Sequence, residues 1–406
     1  MNKPELLAPA GNLSKLKTAI TYGADAVYIG GEEFSLRTAA DNFSIEDIKK
    51  GLEYAHNREK KVYLTANIIP HNDDIEKYAE YLNEVKDLGF DAVILSDLGM
   101  FAVTKEIAPK IDIHISTQAN NVNYRSALEW YKLGAKRVIL AREMSLDEIK
   151  TIREKTPADL ELEAFVHGAM CISYSGRCLL SNYMTARDSN QGACSHPCRW
   201  KYFLMEEQRP GEYMPVFENE RGTFIYNSKD LCMIEHIDKL VESGLDSFKI
   251  EGRVKSEFYV ATVVKAYRTA IDAYFEDPEG YKFDPEQLAE LKKVSHRDYT
   301  TGFYFGKPGG SEHHYESSSY IREYDMVGVV TKYDPETKMA EIVQKNRFFK
   351  GSEVEFLRPY GKFFTQTIEY MEDADGNELE VANRPQSIVR LKVVEPDTFM
   401  RMQRKK

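Results

Sequence analysis

Residues 23–31 read GADAVYIGG, and three later stretches repeat this pattern: GFDAVILSD (89–97), GAKRVILAR (134–142) and GLDSFKIEG (244–252). Each begins with a glycine, continues through a short polar step and ends in an apolar run. An amphipathic segment precedes each glycine, and glycine often ends a helix because it adopts the left-handed conformation without strain. The repeat therefore predicts helix–strand units whose strands are buried on both faces, as in a parallel sheet.

Further apolar runs fill the gaps between these units. Together they predict eight strands, at 6–10, 26–30, 61–66, 92–96, 111–116, 137–141, 160–166 and 247–251. Eight successive βα units indicate an α/β fold of the TIM-like (β/α)8 barrel type. An open doubly wound sheet is the alternative. That fold usually carries a glycine-rich turn after its first strand, and the sequence has no G-x-G-x-x-G motif.

A long insertion at about 168–230 interrupts the seventh unit, between its strand and a helix predicted near 233–243. It is far longer than an ordinary βα loop. A hairpin is predicted inside it, between KYFLMEE (201–207) and GTFIYNS (222–228). Loops that follow barrel strands form the catalytic face of this fold. The cysteine-rich insertion after strand seven is therefore expected to lead onto that face.

The chain divides into a barrel over 1–305, a linker over 306–320 and a C-terminal domain over 321–406. The last part alternates polar and apolar residues, which predicts a small antiparallel β-barrel. Its predicted strands are 325–334, 339–346, 352–361, 364–373 and 386–394. Residues 381–406 hold seven Lys/Arg and two Asp/Glu. This basic segment is either a solubilising tail or a face that binds RNA.

The 406-residue chain carries a net charge of −11, which argues against broad non-specific nucleic-acid binding. No apolar run reaches the roughly 18 residues that cross a bilayer, so no membrane association is expected. The N-terminus lacks the pattern of a signal peptide, and we expect a cytoplasmic protein. Five cysteines in such a protein favour metal binding or thiol chemistry over a disulfide framework.

Four of the five cysteines are clustered, at Cys171, Cys178, Cys194 and Cys198, with the spacing C-x6-C-x15-C-x3-C. Four converging thiolates can hold zinc or an iron–sulfur cluster. The alternatives are inert buried thiols or one nucleophilic cysteine. Only the second pair resembles a zinc knuckle, which favours iron–sulfur over zinc. Cys232 falls at a predicted helix start and is left out of the predicted ligand set.

Polar side chains lie at or just after the predicted strand ends, where barrel enzymes bind their substrates. Asp97 is another of these strand-end residues. The alternative is that half of them are solvated loop residues or helix caps. The predicted catalytic residues are Glu163, His167, Lys249 and Glu251. The predicted substrate-binding residues are Arg37, Asn67, Gln118, Arg142, Arg177 and Arg253. A Cys171–His167 nucleophile pair is conceivable, but a hydrogen-bonded histidine at the strand end is the better interpretation.

At EAFVHGAMCISYSGRCLLS (163–181) the sequence resembles peptidase family U32, the collagenase-like peptidase family. The resemblance covers most of the chain and is specific for the family more than for an activity. Its other motifs are LLAPAGN, GADAVYIG, NQGACSHPCRW, NSKDL, FKIEGR, SHRDYTTGF and the C-terminal β domain. The order of the motifs and the C-R-W after the fourth clustered cysteine are most similar to the tRNA-hydroxylating branch of the family.

The resemblance implies an enzyme that hydroxylates the wobble uridine of tRNA to 5-hydroxyuridine without oxygen, using prephenate and a 4Fe–4S cluster. It implies Cys171, Cys178 and Cys194 as cluster ligands, with Cys198 or Cys232 as the fourth. Zn²⁺ is the alternative metal. The partners implied are tRNA and either a paralogous chain or a second copy of this one. The alternatives are a U32-type peptidase acting through Cys171 or a metal, and a zinc-stabilised RNA-binding scaffold.

If the protein acts on tRNA, the basic C-terminal domain is expected to hold the RNA backbone. The cations singled out for that role are Arg401, Arg404, Lys405 and Lys406. Arginines at the barrel mouth suit a dicarboxylate such as prephenate, because guanidinium groups bind carboxylates through paired hydrogen bonds. An anticodon base is already unpaired and reaches a deep pocket at modest cost.

Overall fold

The structure, a computed structural model, describes residues 2–31, 34, 43–170, 178, 180–185, 187, 189, 194–195, 197, 203–204, 214–215, 229–306, 320–394 and 399–403. The strands of its first part are β1 Glu5–Pro9, β2 Ala26–Gly30, β3 Lys61–Ala66, β4 Ala92–Leu95, β5 Asp112–Ile115, β6 Arg137–Ile139, β7 Glu161–Ala169, β8 Phe203–Leu204, β9 Met214–Pro215, β10 Asp230–Cys232, β11 Ser247–Ile250 and β12 Tyr299–Thr300. The helices are α1 Leu13–Thr21, α2 Ile45–His56, α3 Asn72–Val85, α4 Leu98–Ile107, α5 Tyr124–Leu133, α6 Leu146–Glu154, α7 Leu180–Thr185, α8 Ile237–Glu242, α9 Glu257–Glu276 and α10 Pro285–Leu291.

Eight parallel strands close into a barrel, which confirms the predicted fold class. Strands β1 to β7 pair in chain order, β7 pairs with β11, and β11 pairs back with β1. The apolar runs of the repeats form the barrel wall because both faces of each strand are buried. Within the described residues, no helix combines the length and the apolar character that crossing a membrane requires.

Two short strands that the sequence did not predict extend the barrel sheet: β10, where the insertion ends, and β12, which follows α10. β10 runs antiparallel to the end of β7, and β12 pairs with β10. Cys232 therefore lies in a strand, opposite His167, and the prediction that it begins a helix was wrong. The hairpin also differs from the prediction, because β8 pairs with β9 at 214–215. The segment that was predicted to pair with β8, at 222–228, lies outside the described residues.

The C-terminal part is an antiparallel sheet of β13 Tyr324–Asp334, β14 Met339–Gln344, β15 Phe348–Phe349, β16 Glu353–Leu357, β17 Phe364–Thr367, β18 Met371–Asp373, β19 Val381–Ala382, β20 Ile388–Lys392 and β21 Phe399–Gln403. Seven strands follow the order β17-β16-β21-β13-β14-β20-β18, and β15 pairs with β19. The curved sheet forms a half-barrel around its own apolar core. The run predicted as one strand at 364–373 is broken into two.

Residues 399–403 of the basic segment form a strand of this sheet, whereas Arg404, Lys405 and Lys406 lie outside the described residues. β21 pairs with both β13 and β16, so it lies inside the sheet. Arg401 on β21 is fully buried, where it bonds the carboxylates of Glu290 (2.8 Å) and Glu355 (2.7 Å). Glu290 belongs to α10 of the barrel, so Arg401 joins the two domains. This burial removes Arg401 from the predicted RNA-binding set.

Apolar packing completes the contact between the domains. Phe399 packs against Tyr22, which follows α1, and against Phe258 of α9, with ring centroids 5.8 and 6.4 Å away. The Tyr22 hydroxyl donates to the Leu357 carbonyl at 2.9 Å. The sheet therefore lies against the helical layer of the barrel.

Candidate active site at the carboxyl end of the barrel

A cluster of buried charges fills the amino-terminal half of the barrel interior. The Arg137 guanidinium lies 2.6 Å from the Glu5 carboxylate, 2.6 Å from Glu161 and 2.8 Å from Glu163. Glu5, Arg137 and Glu161 stand at the starts of their strands. The Tyr63 hydroxyl donates to Glu5 at 2.6 Å. We call this set, with Lys249, the lower network.

Lys249 closes the lower network, since its ammonium lies 2.9 Å from the fully buried Glu163 carboxylate. Burial disfavours the charge on Glu163, but Lys249 and Arg137 outweigh it and hold the pKa of its carboxyl below the ordinary value. Burial lowers the pKa of Lys249, against the pull of Glu163. The structure therefore places two predicted catalytic residues inside the barrel, paired with each other.

His167 faces the helical layer and not the barrel interior. Phe165 lies opposite Lys249 and His167 lies opposite Ile250, so β7 carries one extra residue between them. Such a bulge reverses the alternation of side chains along a strand. The His167 ring lies 5.5 Å from the Tyr267 ring of α9. Burial lowers the pKa of His167 to about 3, which keeps the imidazole neutral.

The carboxyl ends of the strands bring together Arg142, Glu251 and Arg253. The Arg142 guanidinium lies 3.9 Å from the centroid of the Phe165 ring and 3.6 Å from the Glu251 carboxylate. The buried Arg253 guanidinium donates to the Thr65 hydroxyl of β3 at 3.0 Å. Two cationic groups and a carboxylate are thus held over the barrel interior, in the place that the fold reserves for substrates.

Two glycines allow the loop after β11 to approach its neighbours. Gly168 has a φ of +107°, and a Cβ there would lie 2.6 Å from the Glu251 carbonyl oxygen. A Cβ on Gly11 would lie 2.3 Å from the Arg253 carbonyl oxygen. Real Cβ atoms do not approach so closely, so side chains at these positions would displace Glu251 and Arg253.

Amide side chains lie at the same end of the barrel, beside Arg142 and Arg253. The Asn67 amide follows β3 and donates to the Ser116 hydroxyl at 3.2 Å, and that hydroxyl also accepts the Gln118 N–H at 3.3 Å. Asn121 is fully buried beside β6, where its carbonyl accepts the Ala141 N–H at 3.0 Å. We call Asn67, Gln118 and Asn121 the amide cluster.

The amide cluster has polar atoms that no described residue satisfies. They are the side-chain oxygens of Asn67 and Gln118 and both amide atoms of Asn121. Buried polar groups nearly always have partners in folded proteins. Within the described chain these atoms are therefore candidates for contact with a ligand.

The outcome for the remaining predicted positions is mixed. Arg37 and Arg177 lie outside the described residues. Asp97 caps α4 by accepting the N–H groups of Gly99 and Met100, which is the helix-cap alternative. Sequence reasoning missed Asn121 because it stopped at Gln118, although QANN (118–121) continues the same loop.

Two of the four clustered cysteines can be placed. Cys178 is buried and Cys194 is partly exposed. The residues that follow them are joined, because Ser195 Oγ lies 3.0 Å from Ser181 Oγ and 2.8 Å from the Thr185 hydroxyl. The two segments are therefore adjacent, which fits a shared thiolate-bound metal or cluster.

Cys171 and Cys198 lie outside the described residues. Among the described residues, no three His, Cys, Asp or Glu side chains converge as metal ligands do. Cys232 is buried in the layer behind β7, with its Sγ 4.0 Å from the Tyr267 hydroxyl. Burial raises the pKa of the Cys232 thiol to about 12, which disfavours the thiolate that a metal requires.

Comparison with family models gives two consecutive matches along the chain. Residues 11–314 match the model of peptidase family U32, and residues 322–403 match that of the peptidase family U32 C-terminal domain. The matched ranges include every barrel strand after β1 and the whole C-terminal sheet.

Similar curated proteins carry two kinds of name. tRNA hydroxylation protein P1 of Bacillus subtilis is 46% identical over 402 residues, covering 98% of this chain and 94% of the relative. tRNA hydroxylation protein P of Escherichia coli is 40% identical, covering 94% and 92%. A protein of Porphyromonas gingivalis named Collagenase is 33% identical, covering 91% and 90%.

Proposed function

The chain belongs to peptidase family U32, and from that membership we propose that it is a tRNA-modifying enzyme that turns a wobble uridine into 5-hydroxyuridine. The two relatives named tRNA hydroxylation proteins support this proposal over nearly the full chain. The proposal rests on one structural observation. At the carboxyl end of the barrel, Arg142, Glu251 and Arg253 lie at the same mouth as the amide cluster. Cations and amides suit a charged donor and a base.

Prephenate is the proposed oxygen donor. Its two carboxylates match Arg142 and Arg253, because a guanidinium group binds a carboxylate through two parallel hydrogen bonds. Hydroxylation at C5 breaks a C–H bond of the base and forms a C–O bond. Exchange of the prephenate hydroxyl for that hydrogen balances the atoms, and the two electrons lost by the base are gained by the donor.

Cys171, Cys178, Cys194 and Cys198 are the proposed ligands of a 4Fe–4S cluster. The hydrogen bond between Ser181 and Ser195, which joins the segments of Cys178 and Cys194, supports this set. The packing of Cys232 against Tyr267 argues against Cys232 as the fourth ligand. With four cysteine ligands such a cluster supplies electron transfer or organises the pocket. The chain's own arginines then bind and orient the donor. Zn²⁺ is the alternative occupant.

Anaerobic purification of serine variants, with nucleoside analysis of tRNA from a deletion strain that expresses each one, tests this proposal. Cys178→Ser and Cys194→Ser are expected to lose both the visible absorption of the protein and 5-hydroxyuridine in the tRNA. Cys232→Ser is the matched control and should retain both. A colourless wild-type protein that contains zinc and leaves tRNA unmodified would instead support an RNA-binding scaffold.

A peptidase is the second candidate, since the similar protein of P. gingivalis is named Collagenase. A peptidase that uses Cys171 as its nucleophile needs a general base beside that cysteine. His167 does not suit that role, because it faces α9 and its pKa is lowered to about 3. Gelatin cleavage that survives the loss of all four clustered cysteines would favour the peptidase and count against the hydroxylase.

A further inference from the structure

The amide cluster carries an inference beyond the reaction itself. Asn121 is fully buried, and neither its side-chain oxygen nor its nitrogen has a hydrogen-bond partner among the described residues. Its neighbour Asn123 differs, because its side chain accepts the Ser126 N–H and caps α5. A capping role therefore accounts for Asn123, whereas nothing described in the fold accounts for the Asn121 amide.

The unsatisfied atoms define the chemistry of the missing partner. Asn121 offers one acceptor and one donor side by side, and Asn67 and Gln118 each add an acceptor oxygen. The complement of the Asn121 amide is a ring N–H beside a carbonyl, as on the N3–H edge of uracil with O2 or O4. Asparagine and glutamine bind base edges in this paired manner.

We propose that the amide cluster binds the N3–H edge of the uracil base, with Asn121 as its central residue. This inference rests on the proposed function, because that function makes a uridine the substrate. It adds which residues recognise the base and which edge of the base they bind. Cytosine presents an acceptor at N3, so an amide oxygen that accepts from the uracil N3–H finds no hydrogen at that position of cytosine.

The position of the amide cluster in the barrel agrees with this role. Asn67 follows β3, Gln118 follows β5, and Asn121 lies beside β6. The β3 residue that bonds Arg253 lies two positions before Asn67, and the residue that bonds the Asn121 carbonyl directly precedes Arg142. The amides therefore lie beside the two guanidinium groups that are proposed to bind the donor.

The test measures dissociation constants by fluorescence anisotropy for three anticodon stem-loop RNAs that differ only in the wobble base. The bases are uridine, cytidine and N3-methyluridine. The wild-type protein should prefer uridine over both others by on the order of ten- to a hundredfold, the usual discrimination of a paired base contact. Equal affinity for uridine and N3-methyluridine would overturn the inference, because the methyl group removes the N3 donor.

Asn121→Asp provides a change of preference that a structural role would not produce. A carboxylate accepts from the cytosine amino group and has no donor for the uracil carbonyl. The ratio of uridine to cytidine affinity should fall by at least about tenfold. Gln118→Glu should lower the same ratio if Asn121→Asp does not fold. Asn123→Ala, in the same loop, is the control and should keep the wild-type ratio.

Nucleoside analysis separates the failure of this inference from the failure of the proposed function. If wild-type protein restores 5-hydroxyuridine to tRNA but Asn121→Asp and Gln118→Glu keep the wild-type preference, the amide cluster does not recognise the base. If wild-type protein restores no 5-hydroxyuridine and binds all three RNAs equally, the proposed function is wrong and this inference falls with it.

Discussion

The two halves of the barrel interior both contain buried polar side chains but differ in how those side chains are satisfied. In the lower network every carboxylate meets a cation or a hydroxyl, with Arg137 at its centre. At the carboxyl end, the amide cluster keeps polar atoms that no described residue satisfies. Burial alone therefore does not identify a functional residue. The lower network has its partners within the fold, whereas the Asn121 amide, which has none among the described residues, is a candidate for contact with a ligand.

The largest effect is expected from Arg137→Met, which removes the central cation of the lower network. Glu5, Glu161 and Glu163 would remain close together, with Lys249 as the one cation of the network near them. Breaking a buried ion pair on one side typically costs about 3–5 kcal/mol. We expect a loss of that size in the free energy of unfolding, measured by urea titration at pH 7.

A matched control for Arg137→Met is Lys132→Met, which breaks the exposed Lys132–Glu129 pair on α5. Exposed pairs of this kind contribute about 0.5 kcal/mol or less. If Arg137→Met and Lys132→Met cost the same, the lower network is not a stabilising element, and the contrast between the two halves fails.

A smaller effect concerns His167, whose pKa is about 3 in the folded protein because of burial and about 6.5 when unfolded. Below pH 6.5 the unfolded chain binds a proton that the folded protein does not bind. Stability therefore falls as the pH falls from 6.5 towards 3, by at most about 1.4 kcal/mol per pH unit for this group. His114, whose pKa burial also lowers, adds to the same trend.

Urea titrations of wild type and His167→Gln at pH 7 and pH 5 measure this contribution. The loss of stability between the two pH values should be about 1–2 kcal/mol smaller in His167→Gln, because the glutamine binds no proton in either state. Comparing the two pH values cancels any constant packing cost of the substitution. Equal losses in the two proteins would mean that His167 is protonated in the folded state, as a histidine open to solvent would be.

The barrel could be predicted from the sequence because its signal is local. A glycine that ends a helix and the apolar run after it, as at Gly23 or Gly134, are adjacent in the chain. The roles of Glu163 and His167 depend instead on their partners. No residue close to Glu163 in sequence indicates that Arg137 of β6 and Lys249 of β11 neutralise its charge. The bulge that turns His167 outward is likewise visible only in the pairing of β7 with β11.

The location of the residues at the mouth was easier to predict, because it follows from the ends of the strands. Arg142, Glu251 and Arg253 lie just after strands, and parallel strands bring the residues beyond their carboxyl ends to one end of the barrel.

The basic segment shows the limit of composition as a guide. Arg401 contributes to the positive charge of this segment, yet the alternation of FMRMQ (399–403) is that of a strand. Its buried charge is paired with one carboxylate from the barrel and one from the sheet.

The smallest effect is expected in the amide cluster. Asn121→Leu removes a fully buried amide whose side-chain atoms have no hydrogen bond within the described structure. No hydrogen bond is lost, and the cost of keeping an unpaired polar group from water disappears. The free energy of unfolding without ligand should therefore stay within about 1 kcal/mol of wild type or rise.

Asn123→Leu is the matched variant in the same loop, and it removes the cap of α5 at a typical cost of about 1 kcal/mol. The substitution of the buried residue is thus expected to destabilise the protein less than that of its exposed neighbour. Packing alone predicts the reverse order, since a fully buried side chain normally contributes more to stability. A loss of about 3 kcal/mol in Asn121→Leu, the upper end of the cost of breaking buried hydrogen bonds, would show that Asn121 is satisfied by the fold, and would place the amide cluster with the lower network.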